Sequence, residues 1–348
     1  MGTLWKRMLA LALAGVLTIG CFAGCEEAPA APQTTVATEP MVTEPEGEAE
    51  VLKVLTLGHS LALNATRMLN LVAHAEGYQE MKIGTLYYSG CPLGKHVEFL
   101  TKNEPAYTFH ISSTETPNEP PQVMESVTMQ QAIQFDYWDI IIMQGGVFEL
   151  AKAETFTNGD IQTIQKYVNE HKLNPNAVFA WHLPWAFATD PAQQNENYAK
   201  QYVPYGNDRR TLFAAFAENV EKYILTDETF TCMIPTGAAV ENAISSHMKE
   251  GDILCDYAHA GDFGRLIAAY TYFCTLTGVE KLEEIKLDAI PKAFVKTSYV
   301  PGDRELTEAD KALILESVNN ALAHPLEITE SQYKEATEGY IHIESHDG

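Results

Sequence analysis

Along this chain, short apolar runs with little internal alternation are interleaved with longer stretches whose apolar positions recur every three or four residues. Val51 to Leu57, Met81 to Ser89, Trp138 to Gln144, Ala177 to His182 and Thr231 to Pro235 are of the first kind. Such runs suit parallel strands covered on both faces. Tyr107 to Ser113 reads as one more strand, antiparallel and at an edge. Helices are predicted over Leu61–Glu76, Val123–Gln134, Asp160–His171, Thr211–Leu225, a segment ending near Ser246, Phe263–Thr277 and Leu306–Ala323. In Thr211–Leu225 the positions Leu212, Phe213, Phe216, Val220 and Ile224 form one apolar face. Gly278 stands where a helix C-cap glycine belongs, and Thr307 to Asp310 forms a capping box ahead of the last helix.

Strands alternating with helices imply βαβ units, hence an α/β fold with a mostly parallel sheet and helices on both faces. Ligands of such sheets sit beyond the carboxyl ends of the strands. The residues there are Gly58-His59-Ser60, Ser89-Gly90-Cys91, Gln144-Gly145-Gly146, Trp181-His182 and Pro235-Thr236-Gly237. Glycine occurs at four of these five ends. It permits tight turns and close backbone approach, although strand-to-helix turns use it for that reason anyway.

The first 50 residues do not follow the pattern. Lys6 and Arg7 precede an apolar stretch from Met8 to Gly20, with small residues before Cys21 and Cys25. That is the layout of a secretory signal, too short to span a bilayer as a helix. Ala23-Gly24-Cys25 fits a lipobox, and the polar chain begins directly after it. Cys25 is therefore the expected lipidation site, Cys21 the competing one, and an ordinary signal peptide with an incidental cysteine the plainer alternative. Residues 25–50 are rich in Pro, Thr, Ala and Glu and cannot bury enough apolar surface to fold alone. They read as an acidic linker. The expected organisation is a signal peptide at 1–24, a linker at 25–50, one large domain at 51–325 and a tail at 326–348.

The formal charge of −24 argues against nucleic-acid partners and against anionic lipid. Membrane association is then expected through the N-terminal lipid only. Cys91, Cys232, Cys255 and Cys274 contain no C-x-x-C, so a zinc site is not expected, and no pairing among them is readable.

Two elements carry candidate chemistry. Ser60 follows a buried strand and begins a helix, where free N–H groups favour a developing negative charge. Plain N-capping by serine explains the position equally well. Asp256 and His259 form the chain's D-x-x-H, a spacing at which a carboxylate can orient an imidazole. Alone, that match is weak.

Taken in order, Gly58-His59-Ser60-Leu61-Ala62, Tyr88-Ser89-Gly90-Cys91-Pro92-Leu93, Trp138 to Gln144, Ile234 to Ala239 and Asp256 to Gly278 resemble the SGNH (GDSL-like) hydrolase superfamily. The likeness runs from about Val51 to Gly278. It is nearest to a bacterial branch known as a domain of unknown function, in which the serine block usually reads G-N-S-F-S. The resemblance implies a flavodoxin-like three-layer α/β/α fold with a mostly parallel central sheet. It implies Ser60 as nucleophile, His259 as general base and then acid, and Asp256 as the orienting carboxylate. The Ser60 and Gly90 N–H groups would form the oxyanion hole with a side-chain amide. The superfamily takes that amide from the Asn of a G-x-N block. Here Gln144-Gly145-Gly146 stands instead, so Gln144 is the expected donor, with an altered reach.

Trp181, His182 and Trp185 are candidates for a sugar-binding wall, against the alternative that both tryptophans simply pack. Lys95 and His96 border the Gly90 loop or lie on the surface, His59 is structural or solvent-facing, and Tyr198, Tyr202 and Tyr205 form a lid or cover the core. The expectation is an exported esterase, lipid-anchored to the outer face of the cytoplasmic membrane, acting on an acylated carbohydrate or another small ester. No metal or organic cofactor is implied. The alternative is a non-catalytic lipoprotein that binds glycan or peptide on the same fold.

Overall fold

The computed structural model describes residues 51–78, 80–190, 196–293 and 299–336. The expected signal peptide, the linker and both Cys21 and Cys25 lie outside the described residues.

Seven strands form the central sheet: β1 (Leu52–Gly58), β2 (Met81–Tyr87), β3 (Tyr107–Ser113), β4 (Gln122–Val127), β5 (Ile140–Met143), β6 (Val178–His182) and β7 (Phe230–Ile234). Their order is β4-β3-β2-β1-β5-β6-β7. β2, β1, β5, β6 and β7 run parallel, β3 pairs antiparallel with β2, and β4 pairs antiparallel with β3. The five parallel strands thus follow the flavodoxin-like order, whose direction of travel reverses at β1. β1 and β5 are buried along almost their whole length, as their unbroken apolar runs require.

The α-helices of five or more residues are α1 (Ser60–Thr66), α2 (Leu69–Ala75), α3 (Leu93–Lys102), α4 (Met129–Ile133), α5 (Asp160–His171), α6 (Glu196–Tyr202), α7 (Arg209–Tyr223), α8 (Thr236–Ile244), α9 (Asp262–Thr277) and α10 (Glu308–Ala323). α9 packs on α1, α2, α8 and α10, whereas α3 packs on α5 and α4, which gives the outer layers of a three-layer α/β/α fold. Every residue of α9 except Thr277 is buried. Each of its large apolar side chains contributes about 1.5–3 kcal/mol. A two-stranded hairpin, β8 (Ala289–Ala293) and β9 (Tyr299–Glu305), stands apart from the main sheet.

Three sequence expectations change. The helix expected over Leu61–Glu76 is two helices, because Thr66 turns its hydroxyl back to the Ala62 carbonyl (3.0 Å) and on to Thr85 (2.8 Å). Met68 then leaves helical geometry. The helix expected over Val123–Gln134 is strand β4 followed by the short α4. Thr128 divides them with a capping box to Gln131. β4 carries one extra residue against β3, since Tyr107 pairs Val127 but Phe109 pairs Met124, and Ser126 sits there at φ 56°. The domain also continues past residue 325. Thr329 and Ser331 donate to Asn242 and Ser245, and Tyr333 O accepts from the His247 N–H.

At the amino ends of the strands, Asp136 accepts from Lys53 (2.8 Å) and Lys82 (2.5 Å), tying β1 to β2. Near the opposite edge lies a buried pair, Arg209 with Glu241 (2.5 Å), and Arg209 also donates to the Phe187 carbonyl (3.1 Å). Glu250 accepts from the Thr189 N–H and hydroxyl and from the Asp190 N–H. These contacts fix the segment after β6.

Candidate active site

Ser60 is the first residue of α1, half-buried, at the carboxyl end of the central strand. The residue before it is the anchor of the turn. His59 caps α1 through Nδ1, which accepts from Leu61 N–H (3.4 Å), and Nε2–H donates to the Gly145 carbonyl (3.2 Å). Its backbone N–H donates to Gln144 Oε1 (3.2 Å). His59 is therefore structural and buried, not solvent-facing. Burial is the main reason its imidazole falls to about 4; the Gly145 carbonyl opposes this and His259 adds to it.

The Asp256–His259 pair lies in the tight turn between Leu254 and Ala260, which pair across it. Asp256 Oδ2 meets His259 Nδ1 at 2.7 Å, and Asp256 Oδ1 accepts both the Ala258 and His259 N–H groups at 2.7 Å. Burial raises the cost of ionising Asp256, but the bonds from the His259 ring, the His259 N–H and the Ala258 N–H outweigh it and hold the carboxyl below its usual range. A carboxylate on Nδ1 places the proton there and leaves Nε2 as the basic nitrogen.

Three anchors hold this turn. Asn64 Oδ1 accepts the Ala260 N–H (2.9 Å), the Trp185 indole donates to the Ala258 carbonyl (2.8 Å), and Ala188 N–H donates to the Tyr257 carbonyl (2.7 Å). Asn64 is one helical turn after Ser60, so this bond ties the His259 turn to the helix that Ser60 opens. Among the described residues Ser60 Oγ makes no hydrogen bond, to His259 or to anything else. Such contacts are often loose before substrate binds.

Gly90 lies in the turn after β2, the strand that pairs with β1. Tyr88 N–H reaches the Gly58 carbonyl (3.4 Å), and Cys91 N–H closes a turn on Tyr88 (3.3 Å) in which Gly90 has φ 58°. That is the third position of a type II turn, which requires positive φ. Neither the Ser60 nor the Gly90 N–H has a backbone partner among the described residues. The neighbouring Cys91 is no rival nucleophile, since burial, foremost, pushes its thiol up to about 12.

Gln144 does not fill the role expected of it. It is fully buried, its Oε1 is held by His59 N–H, and its Nε2 faces His182 Nδ1 (2.9 Å). The amide lies beneath the serine turn rather than beside it. Trp181 and His182 cannot line a pocket either, for both are 0 % exposed. β6 is an interior strand, and Trp181 packs among Phe156 and Phe230. Trp185 is also buried, and its indole serves the His259 turn.

A model of one protein family, described as Domain of unknown function (DUF4886), matches residues 53–292, more than half of the chain. The chain belongs to the DUF4886 family. It is similar to the crystal structure of a DUF4886 family protein from Bacteroides uniformis, with 23% identity and a TM-score of 0.68 over 82% of this chain and 100% of that one. Weaker likenesses are to a candidate SGNH hydrolase from Slackia heliotrinireducens (15% identity, TM-score 0.40, 65% of this chain and 100% of that) and to a salicylyl-acyltransferase from a tetracycline biosynthetic pathway (12%, 0.34, 67% and 56%). No curated protein matches the sequence.

In this family member the aromatic surface beside His259 comes from Tyr257 and Phe187, which the spacing did not single out, and from Tyr198, one of the expected lid residues. The Tyr257 ring is 6.3 Å from that of His259 and stacks on Tyr198 at 4.9 Å, with Phe187 edge-on at 5.8 Å. Burial and then Tyr198 push the Tyr257 phenol up to about 12. Tyr202 is buried and donates to the Phe187 carbonyl, so it covers the core, while half-buried Tyr198 faces Tyr257. Lys95 pairs with Glu98 at the surface (2.7 Å), and His96 is buried against Tyr107 (2.8 Å). Among the described residues no three or more His, Cys, Asp or Glu side chains are grouped to hold a metal.

Proposed function

We propose that this protein is a serine hydrolase that cleaves esters by acyl transfer through Ser60. The observation that carries the reading is the Asp256–His259 pair at 2.7 Å, held by Asn64 against the helix that Ser60 opens. In the proposed reaction Ser60 Oγ attacks the ester carbonyl carbon and its proton passes to His259 Nε2. The tetrahedral oxyanion is met by the Ser60 and Gly90 N–H groups. Collapse breaks the bond to the alcohol, which leaves with the proton from His259. Water then attacks the acyl-serine, again through His259, releasing the acid and restoring Ser60.

The alcohol departs on the His259 side, next to Tyr257 and Tyr198. A half-buried aromatic surface there supports an acylated carbohydrate as substrate, because the apolar face of a sugar ring packs on aromatic rings. The Lys6-Arg7, Met8–Gly20 and Cys25 pattern supports export and lipid anchoring at the outer face of the cytoplasmic membrane. Mass spectrometry of the native N-terminus tests the anchor: an unmodified peptide spanning residues 21–30 would exclude it.

The burial of Gln144 favours a second reading, a glycan-binding protein without turnover, since a missing oxyanion donor can cost about 3 kcal/mol of barrier. Fluorophosphonate labelling separates the two. Wild type should label and hydrolyse p-nitrophenyl acetate, and Ser60→Ala should do neither. A wild type that does neither but is retained by a glycan column supports the binding protein.

A further inference from the structure

The fully buried polar residues beneath the serine turn form one continuous chain of hydrogen bonds. His59 N–H donates to Gln144 Oε1 (3.2 Å), Gln144 Nε2 to His182 Nδ1 (2.9 Å), His182 Nε2 to Thr236 Oγ1 (2.6 Å), and Thr236 Oγ1 to the Leu183 carbonyl (2.9 Å). A backbone N–H can only donate, so it fixes the Gln144 amide with oxygen toward His59. The amide nitrogen then fixes His182 as an acceptor at Nδ1, and therefore as a donor at Nε2. At the far end a carbonyl can only accept. Each proton position follows from the one before it, and the chain crosses β1, β5, β6 and the start of α8.

A second observation points the same way. A Cβ placed on Gly58 would stand 2.8 Å from Gln144 Oε1 and 2.8 Å from Ala62 Cβ. Glycine at this position is what lets the amide approach the turn. The motif Gly58-His59-Ser60 thus divides its work: Gly58 admits Gln144, His59 is gripped by it, and Ser60 is aimed as a result.

We propose that Gln144 and His182 are positioning residues for Ser60, acting through the backbone of His59, and that Gln144 is not an oxyanion donor. The proposal rests on the esterase reading for its kinetic consequence. A nucleophile misplaced by about 1 Å loses about 100-fold in rate. Substrate contacts stay intact, so the loss should fall on kcat and leave KM within about twofold.

The test compares the full chain with Gln144→Leu, His182→Phe and His182→Asn. The asparagine carbonyl can occupy the place of Nδ1 and accept the Gln144 amide. Gln144→Leu and His182→Phe should each lower kcat for p-nitrophenyl acetate about 100-fold, and the double variant should be no worse than either. His182→Asn should recover to within about tenfold of wild type. NMR-detected hydrogen exchange should find the His59 amide protected in wild type and His182→Asn, and exposed in the other two. Undiminished kcat and protection in Gln144→Leu and His182→Phe would overturn the proposal. So would a His182→Asn protein as slow as His182→Phe at equal thermal stability. If wild type cleaves no ester, the esterase reading fails by itself, while the His59 amide still decides the positioning.

Discussion

Substituting Gly58 by alanine perturbs the serine turn at its tightest contact. The new methyl group would meet Ala62 Cβ and Gln144 Oε1 at 2.8 Å each, and Gln144 Cβ at 3.3 Å. Contacts between side-chain carbons do not form below about 3.4 Å without displacement. Ala62 is carried on the α1 backbone, and Gln144 is pinned at both ends of its amide, so neither yields freely. Overpacking of this kind costs about 1–3 kcal/mol. If the amide moves, His59 N–H loses a buried acceptor, which costs a further 1–3 kcal/mol or so. The expected total is about 3 kcal/mol, or roughly 5 °C in Tm for a domain of this size. Gly90→Ala is the matched control. There the new Cβ meets nothing within 4 Å, and only the φ of 58° is strained. That costs about 1–2 kcal/mol. Thermal unfolding of both variants, with fluorophosphonate labelling rates, checks the argument. Gly58→Ala should lose more stability than Gly90→Ala and should label more slowly than wild type. A Gly58→Ala protein that melts with wild type and labels at its rate would refute the account of the turn.

Four further outcomes are expected. His59 has its imidazole held near 4 against an ordinary 6.5, so the unfolded chain binds its proton first; stability is full above pH 6.5 and falls by roughly 3 kcal/mol from this group as pH drops toward 4, and calorimetry should find a shallower slope in His59→Gln. Glu241→Gln leaves buried Arg209 with only the more distant Glu250 carboxylate, at 3.8 Å, and should cost up to about 3–5 kcal/mol in denaturant unfolding, whereas replacing Arg209 and Glu241 together by apolar residues should recover most of it. Tyr257→Ala should raise KM for an acetylated sugar, whereas Trp181→Phe should lower Tm and leave KM unchanged, because Trp181 is enclosed. Asp256→Asn should retain more ester hydrolysis than His259→Ala in stopped assays, since Asp256 orients the ring without carrying the proton.

The parallel strands were legible in the sequence because burial on both faces writes an unbroken apolar run, as in Ile140-Ile141-Ile142-Met143. β4 was not, because an edge strand is half-exposed and its Val123, Met124 and Val127 mimic helical spacing. The Thr128–Gln131 box that ends it was visible in the chain and is the signal that would have divided the segment. Ser60 and Gly90 could be read as strand-end residues, and Asp256 with His259 as a hydrogen-bonded pair, because short-range spacing records such features. Asn64, Trp185, Gln144 and His182 act through partners on other elements, and no local spacing records such partners. Of the expected aromatic wall, Trp181 lies on interior strand β6 and Trp185 in the segment after it, and both are enclosed. Tyr257, between Asp256 and His259, and Tyr198 stacked on it are the aromatic residues left half-buried there.

The extra residue in β4 has a consequence far from the serine. Among the described residues β4 ends the sheet, and an uncovered edge there would offer unpaired N–H and C=O groups to any extended peptide or to another copy of the chain. An incoming strand needs several residues of straight ladder. After Met124 the edge is broken by exposed Glu125 and by Ser126 at φ 56°. The bend and the charge leave too short a template for strand addition, so this border of the sheet resists edge-to-edge aggregation. The strain at Ser126 is the cost of that protection, and a straighter, more stable β4 would leave the protein more prone to self-association.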